Sequence, residues 1–358
     1  MSLHADAPLV VIVGENASGK TSILEAISCL LYGSSFRTRK SQQLIRFESE
    51  GFVVRAEFSS DVVSGSASAV NRVATERKAG GADARFRLNG EDVRPAALIR
   101  KFPLQVIDAS VFGLIEGSPS ERRRFVDWGM FHVKPDFYDL WREHRKVLRH
   151  WNALLRRRAS RSEFDFWKSS LVSMTNDLTT YRRNYVESLS KILGCVDLAG
   201  FDSREIELGY QQGWTKEMSY EDYLTRELDT PSDGREFRLR GGTQFFDMTI
   251  RQDGRMIKDT FSRGQKKVLG LQLKVAQIKL YNEQLPSHPG CTVLVDDIAA
   301  EVDYENQMRA MNELLSTGSQ VFVTAIDPSH FQKVLEGMGL TDCKVFHVKQ
   351  GELTEFLS

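Results

Sequence analysis

The sequence predicts an α/β fold in which one α/β domain is assembled from both ends of the chain, with a mainly helical arm inserted between them. Three observations carry this. A short apolar run, Leu9–Val13, leads into a glycine-rich loop and then a helical pattern. Buried-type strands return near the other end, at Thr292–Val295 and Gln320–Thr324. Between Ser120 and about Leu193, strand signals vanish and long charged helical patterns dense in Arg, Trp and Leu take over. The expected boundaries are 1–118 with 245–358 for the α/β head, and 119–244 for the arm.

In chain order, Leu9–Val13 is a buried strand, and Thr21–Leu31 is a helix with Ile23, Leu24, Ile27, Leu30 and Leu31 at helical spacing. Phe52–Phe58 alternates as a strand does, whereas 59–84, rich in Ser, Ala and Gly, predicts a poorly packed loop or long hairpin tip. Arg85–Leu88 and Glu91–Val93 flank Asn89-Gly90, which suits a type I′ hairpin turn. Leu104–Ile107 is a further strand. Two or three helices fill 120–193. Asp197–Leu208 predicts a strand, Tyr220–Leu228 a helix, and Phe245–Ile250 with Met256–Lys258 a hairpin. A helix opens at Arg263, another spans Tyr304–Leu315, and Lys344–Val348 pairs with Glu352–Phe356.

The 358 residues carry 48 basic and 48 acidic side chains, so no uniformly basic surface is expected and local patches matter more than the sum. The four cysteines, Cys29, Cys195, Cys291 and Cys343, stand too far apart for metal-ligand or C-x-x-C spacing and are expected to be buried reduced thiols. The longest early apolar run is too short to span a membrane or form a signal-peptide core, so no membrane association and a cytoplasmic location are expected.

Gly14-Glu15-Asn16-Ala17-Ser18-Gly19-Lys20-Thr21 matches G-x-x-x-x-G-K-[ST] between a strand and a helix, the context this phosphate-binding loop requires. The backbone N–H groups of the loop, running on to Ser22, point at phosphates. Lys20 places a positive charge by the β- and γ-phosphates, and the Thr21 hydroxyl can ligate Mg²⁺. Thr292–Val295 ends in Asp296 and Asp297, the pattern of a Walker B strand. There Asp296 holds the metal and Asp297 orients an attacking water. Ser262-Arg263-Gly264-Gln265 opens a helix about thirty residues earlier. By composition this is an N-capped helix. It also resembles the ABC signature, in which Ser262, Gly264 and Gln265 meet the nucleotide of a partner subunit. Ala299–Asp303 fits the D-loop. The order of these motifs is that of ABC-type ATPase heads.

Four stretches resemble the RecF family of bacterial recombination-repair proteins, which have an SMC-like head: Gly33–Thr38, Leu114–Val133, Phe261–Lys267 and Asp296–Asp303. The resemblance implies an ATP- and Mg²⁺-dependent homodimer that sandwiches two nucleotides. It implies binding to double-stranded DNA and gap junctions, cooperation with RecR, RecO and RecA, and slow hydrolysis acting as a timer. The chain departs from the family pattern in three places. Only eight residues precede Leu9, so the head's first strand, and with it part of the adenine pocket, is expected to be missing. Ala17 replaces a common glycine and requires a negative φ. Asp108-Ala109-Ser110 occupies the Q-loop region, with Gln105 nearby.

Arg142, Arg145, Lys146, Arg149, Arg156, Arg157, Arg158 and Arg161 crowd one helical stretch. Arg145, Arg149 and Arg156 to Arg158 are the candidate phosphate contacts. The bland reading is a solvated helix packed on Trp141, Leu148, Trp151 and Leu155. Arg122–Arg124 fits either DNA contact or an internal brace, Lys266 and Lys267 either nucleotide or DNA, and Arg37 and Arg39 are further phosphate candidates. Competing functions are a transporter's nucleotide-binding subunit, an SMC-like or double-strand-break repair ATPase, and a truncated member with impaired ATP binding. The arginine-rich insertion and Asp297 argue against the first, and a helical insertion of about 75 residues is short for the second.

Overall fold

The structure is a computed structural model that describes residues 1–38, 40–60, 69–81, 83–229, 238–286, 288, 290–297, 302–326, 333, 336–337 and 342–356. The chain forms two compact units, Met1–Val111 with Pro286–Ser358, and Phe112–Leu285. Residues 112–118 and 245–285, expected with the α/β head, therefore group with the helical unit.

In the first unit, β1 (Leu9–Val13) is buried at every residue. After the glycine-rich loop, α1 (Lys20–Tyr32) turns Ile23, Leu24, Leu30 and Leu31 inward. It stops at Gly33, whose φ of 69° and N–H bond to Cys29 O (2.9 Å) make a left-handed cap. A β-carbon there would lie 2.4 Å from the Phe86 ring, so glycine is required twice over.

Next comes an antiparallel sheet of β2 (Gly51–Ser60), β3 (Ala69–Lys78), β4 (Arg85–Leu88) and β5 (Glu91–Asp92), in that order. Asn89 (φ 53°) and Gly90 (φ 92°) form the expected β4–β5 turn. Of the two expectations for 59–84, the loop gives way to a hairpin longer than a tip: β3 pairs with β2 along ten residues, while 61–68 and 82 lie outside the described residues. Its inward positions are Val73, Thr75 and Arg77, two of them polar, so alternation was masked in the sequence. Thr75 bonds Leu30 O (2.6 Å) and Arg77 bonds Gly33 O (3.0 Å), which lets both be buried. The segment then runs through α2 (Pro95–Lys101) into β6 (Leu104–Ile107).

The second unit opens with α3 (Gly113–Glu116), followed by three long helices, α4 (Pro119–Val133), α5 (Phe137–Arg157) and α6 (Arg161–Leu193). A reciprocal capping box between Ser160 and Glu163 starts α6. The predicted strand at 197–208 begins instead at Ile206, as β7 (Ile206–Gln211), because Asp202 takes the Arg204 N–H and closes a 3₁₀ turn first. After α7 (Tyr220–Asp229), β8 (Asp247–Gln252) and β9 (Arg255–Met256) make a hairpin that runs into α8 (Ile257–Thr260), not on to Lys258 as strand. Finally α9 (Arg263–Gln284) is buried on nearly every face from Val268 to Tyr281. Arg182 is enclosed here, bidentate to Asp127 (2.8 and 3.1 Å), bonded to Thr243 and stacked over Phe246.

The chain then returns to the first unit with β10 (Thr292–Val295), α10 (Tyr304–Ser316), β11 (Gln320–Ala325), β12 (Cys343–Lys349) and β13 (Glu352–Phe356). The six-stranded sheet has the order β13-β12-β1-β11-β10-β6, parallel except for the β12–β13 pair. The core of this unit gathers Val10, Ile12, Leu24, Leu294, Phe322 and Phe346. Both faces of such a sheet must be covered, hence its continuous apolar strands. Cys29 and Cys291 are buried as expected and Cys343 is half-buried, but Cys195, just past the end of α6, is exposed.

His144 on α5 is buried, with Nε2 3.1 Å from Thr175 Oγ1. Burial first, and the Arg182 charge second, push its pKa down to about 4 from 6.5. Below pH 6.5 the unfolded imidazole binds a proton that the folded one refuses. Stability present above pH 6.5 is therefore lost as pH falls towards 4, by up to about 3 kcal/mol. Urea unfolding at several pH values should show this loss in the native chain and its absence in His144→Gln. An unchanged profile in the variant would contradict it.

Candidate nucleotide site

The loop between β1 and α1 is built by close approach. A β-carbon on Gly14 would lie 2.5 Å from Val348 O, so only glycine fits beneath β12. Gly14 N–H bonds Ala325 O (3.3 Å) and Gly351 N–H bonds Ser18 O (3.2 Å), tying the loop to the ends of β11 and β12. Ser18 N–H closes a turn onto Glu15 O (3.2 Å), with Ala17 at its third residue. Type II turns need positive φ there. Ala17 has a φ of 63°, so the expectation of negative φ fails and the turn, not the side chain, sets the backbone. Gly19 follows at φ 110° and hands the chain to α1.

Lys20 is buried and folds back over the loop, donating to Gly14 O (2.7 Å) and Glu15 O (2.8 Å). No side chain caps α1 and no acid lies in its first turn. Ser18 Oγ is buried without a hydrogen-bond partner. A helix N-terminus, an ammonium and an orphaned hydroxyl thus converge, an arrangement that suits an anion such as phosphate. Glu15 and Asn16 are exposed on the loop, and Ser22 lies in the first turn of α1.

At the end of β10, Asp296 Oδ1 accepts from Thr21 Oγ1 (3.0 Å) and from Thr324 Oγ1 (2.9 Å). The Asp297 N–H donates to the same Thr324 hydroxyl (2.9 Å), and Asp297 stands at φ 53°. Thr21 and Asp296 offer hard oxygen donors, the set Mg²⁺ takes when phosphates and water complete its shell. Thr324 and the β12–β13 turn were missed in the sequence. Thr324 left a signal, a polar residue closing an apolar strand; the Val348 carbonyl left none.

Ser262, Gly264 and Gln265 fall in the other unit, at the start of α9. Ser262 Oγ accepts the Gln265 N–H (3.3 Å), and Gln265 Oε1 accepts the Ser262 N–H (3.0 Å), while Gly264 is exposed, a β-carbon there lying 4.0 Å from Ser262 Oγ. The D-loop positions 298–301 lie outside the described residues; Asp303 caps α10 through the Asn306 N–H (2.9 Å). Asp108, in the Q-loop region, accepts the Ser110 N–H (3.1 Å), and Gln105 is buried in β6.

The basic candidates divide sharply. Arg122 is bidentate to Asp247 (2.8 and 2.9 Å) and Arg123 bonds Phe246 O (3.0 Å), so both are internal braces. Lys266 is buried, paired with Glu116 and bonded to Lys258 O (2.6 Å), which removes it from nucleotide or DNA contact. Arg37 is exposed, and Arg39 lies outside the described residues. On α5, Arg145, Arg149 and Arg156 form one exposed row, with Arg145 over the Trp141 ring (4.7 Å). Arg157 is exposed and paired with Glu163, and Arg158 ends the helix in the left-handed region (φ 52°).

A strand–loop–helix phosphate cradle on a mostly parallel sheet, with a carboxylate from a neighbouring strand hydrogen-bonded to the loop threonine, defines an ABC-type P-loop head of the SMC class. The RecF/RecN/SMC N terminal domain family matches residues 1–351. The DNA replication and repair protein RecF of Shewanella baltica (strain OS223) is 34% identical over 349 residues, covering 96% of this chain and 92% of that protein. The RecF protein of Shewanella sp. (strain MR-4) is 33% identical over 353 residues, covering 98% and 94%. A solved structure of the recombination mediator protein RecF-ATP in RecFOR pathway superposes with a TM-score of 0.82 at 21% identity, over 100% of this chain and 94% of that one. The Smc head domain of Pyrococcus furiosus, bound to the C-terminal domain of ScpA, gives 0.52 at 16% identity, over 97% and 89%. The chain belongs to the RecF family.

A left-handed alanine costs about 1–2 kcal/mol, and glycine's extra unfolded-state freedom offsets part of any relief. Ala17→Gly should therefore raise the unfolding free energy by about 0.5–1 kcal/mol. A urea midpoint that stays put or falls would contradict the strain at this turn.

Proposed function

We propose that this chain is an ATP-gated DNA-binding protein that acts in recombinational repair of single-strand gaps and in replication maintenance. The observation that carries the reading is the hydrogen bond between Thr21 and Asp296, which joins the phosphate loop to a metal-ready carboxylate. The curated relatives are named DNA replication and repair proteins, and the solved RecF structure is named for the RecFOR pathway and ATP. Both support the same assignment.

In this reading Gly14–Ser22 holds the ATP phosphates through backbone N–H groups, and Lys20 swings from the loop carbonyls to the γ-phosphate. Thr21 and Asp296 hold Mg²⁺, which neutralises phosphate charge. Ser262, Gly264 and Gln265 present an exposed helix start to the nucleotide of a second copy. The working head is 1–118 with 245–358, and the arm is 119–244. Asp297 orients the attacking water, and hydrolysis is slow, a timer for release. No helix among the described residues is long and apolar enough to cross a membrane; the proposed place of action is the cytoplasm. Duplex DNA and gap junctions lie along the exposed α5 cations, and RecR, with RecO, links the complex to RecA loading.

Fluorescence anisotropy with labelled duplex, with and without ATP, tests the reading. The native chain should bind more tightly with ATP, and Lys20→Met should lose the difference. Replacing Arg145, Arg149 and Arg156 with alanine should flatten the dependence of log Kd on log salt by about 0.9 for each phosphate left without its cation. ATP-independent binding, or an unchanged salt slope, would sink it.

A further inference from the structure

The face shared by α5 and α6 near their connecting turn carries a feature that phosphate binding leaves unused. Phe166 is 74% exposed, and no other large hydrophobic residue on α4, α5 or α6 is exposed to this degree. Its ring meets Trp167 edge-on, at 5.2 Å and 85°. Trp167 in turn lies flat against His150 of α5, with centroids 4.9 Å apart and planes within 4°. Three aromatic rings therefore sit together at the surface, and among the described residues the outermost stacks only on Trp167.

A lone exposed phenylalanine needs no explanation; what sets Phe166 apart is the pair of stacked rings behind it and the cations beside them. The core of this unit lies on the other side of the pair, where Trp151 packs against Phe164 and Leu171. Turning Phe166 inward would displace that packing, so its exposure follows from the helix face it occupies.

The charge around the rings says what covers them. Lys146, His150 and Arg157 follow one another at helical spacing along the same face of α5, and Arg149 adjoins them. Lys146 and Arg157 are exposed even where they pair with Glu143 and Glu163. Across Phe137–Arg158 there are seven exposed cations and only two acids, Asp139 and Glu143; on α6, Glu163 and Asp165 stand within three residues of Phe166. Cations beside flat, accessible rings are the chemistry that holds a single nucleic-acid strand, phosphates on the cations and bases on the ring faces.

We propose that Phe166, backed by the Trp167–His150 stack, is a stacking site for the unpaired bases of single-stranded DNA. The assignment rests on the reading of α5 as a phosphate-contact surface and extends it: the cations take any backbone, while the rings select bases that are not already stacked in a duplex. A strand leaving a duplex at a gap offers such bases.

The test uses the full-length protein and two labelled probes, a thymidine oligonucleotide of about 16 nucleotides and a duplex of equal length. Phe166→Ala should weaken binding of the single strand by roughly 5- to 100-fold and leave duplex binding within about twofold. Phe166→Trp should keep single-strand binding, and its added indole fluorescence should be quenched by the oligonucleotide. Arg149→Ala should weaken both probes. Equal single-strand affinity in native and Phe166→Ala protein, equal loss on both probes in Phe166→Ala, or no quenching in Phe166→Trp would each overturn the site. No measurable single-strand binding by the native chain would do the same while leaving ATP-gated duplex binding standing. Loss of that duplex binding is the separate failure of the reading on which the site rests.

Discussion

A single carboxylate oxygen, Oδ1 of Asp296, receives the hydroxyls of both Thr21 and Thr324. Thr21 belongs to the first helix, Asp296 follows β10 275 positions later and Thr324 lies on β11, so their meeting depends on the register of the sheet. β1 must lie between β11 and β12, both from the far end of the chain, with Val13 opposite Ala325 and His347. A shift by one residue would turn the apolar side chains of β1 to the opposite faces and carry the phosphate loop away from Asp296. The loop itself leans on the same strands, since Gly14 fits beneath the Val348 carbonyl only without a side chain. Fold and site are therefore one constraint: the ends of the chain must pair before the cradle exists.

Much of this was legible because the residues involved have few alternatives. Continuous apolar runs such as Leu9–Val13 and Thr292–Val295 can only be buried, and Asn89-Gly90 fits few turns. The G-x-x-x-x-G-K-T string placed the cradle, and the acids at the end of a strand placed its partner. What stayed hidden depended on tertiary partners. β3 reads as polar until Leu30 and Gly33 supply carbonyls to Thr75 and Arg77. Lys266 reads as a free cation until Glu116 claims it. Thr324 looks like the end of a strand, and nothing local marks it as the joint between two aspartates. Ala17 shows the reverse case, where a local preference was legible and the turn overrode it.

The helical unit separates its charges by depth. Arg182 is enclosed with Thr243 and Phe246 and is bidentate to the half-buried Asp127, so losing the guanidinium would strip that carboxylate of its main partner. Burial raises the Asp127 pKa even beside the Arg182 charge. His144 is held neutral by the same interior. Arg145, Arg149 and Arg156 of α5 lie outside, away from Trp151 and Leu154, whereas Arg142 and Arg157 pair with acids at the surface. A neutral total charge thus conceals one strongly basic surface, and distribution, not sum, carries the meaning.

The oxygens of Thr21 and Asp296 should turn the phosphate cradle into a site for a metal–nucleotide complex. Calorimetric titration of ATP with and without Mg²⁺, into the native protein and into Thr21→Val, tests it most directly. Valine keeps the volume and removes the hydroxyl. ATP should bind more tightly with Mg²⁺ in the native chain and show little or no Mg²⁺ dependence in the variant. Equal ATP affinity in the native chain with and without Mg²⁺, or full Mg²⁺ dependence in Thr21→Val, would contradict it.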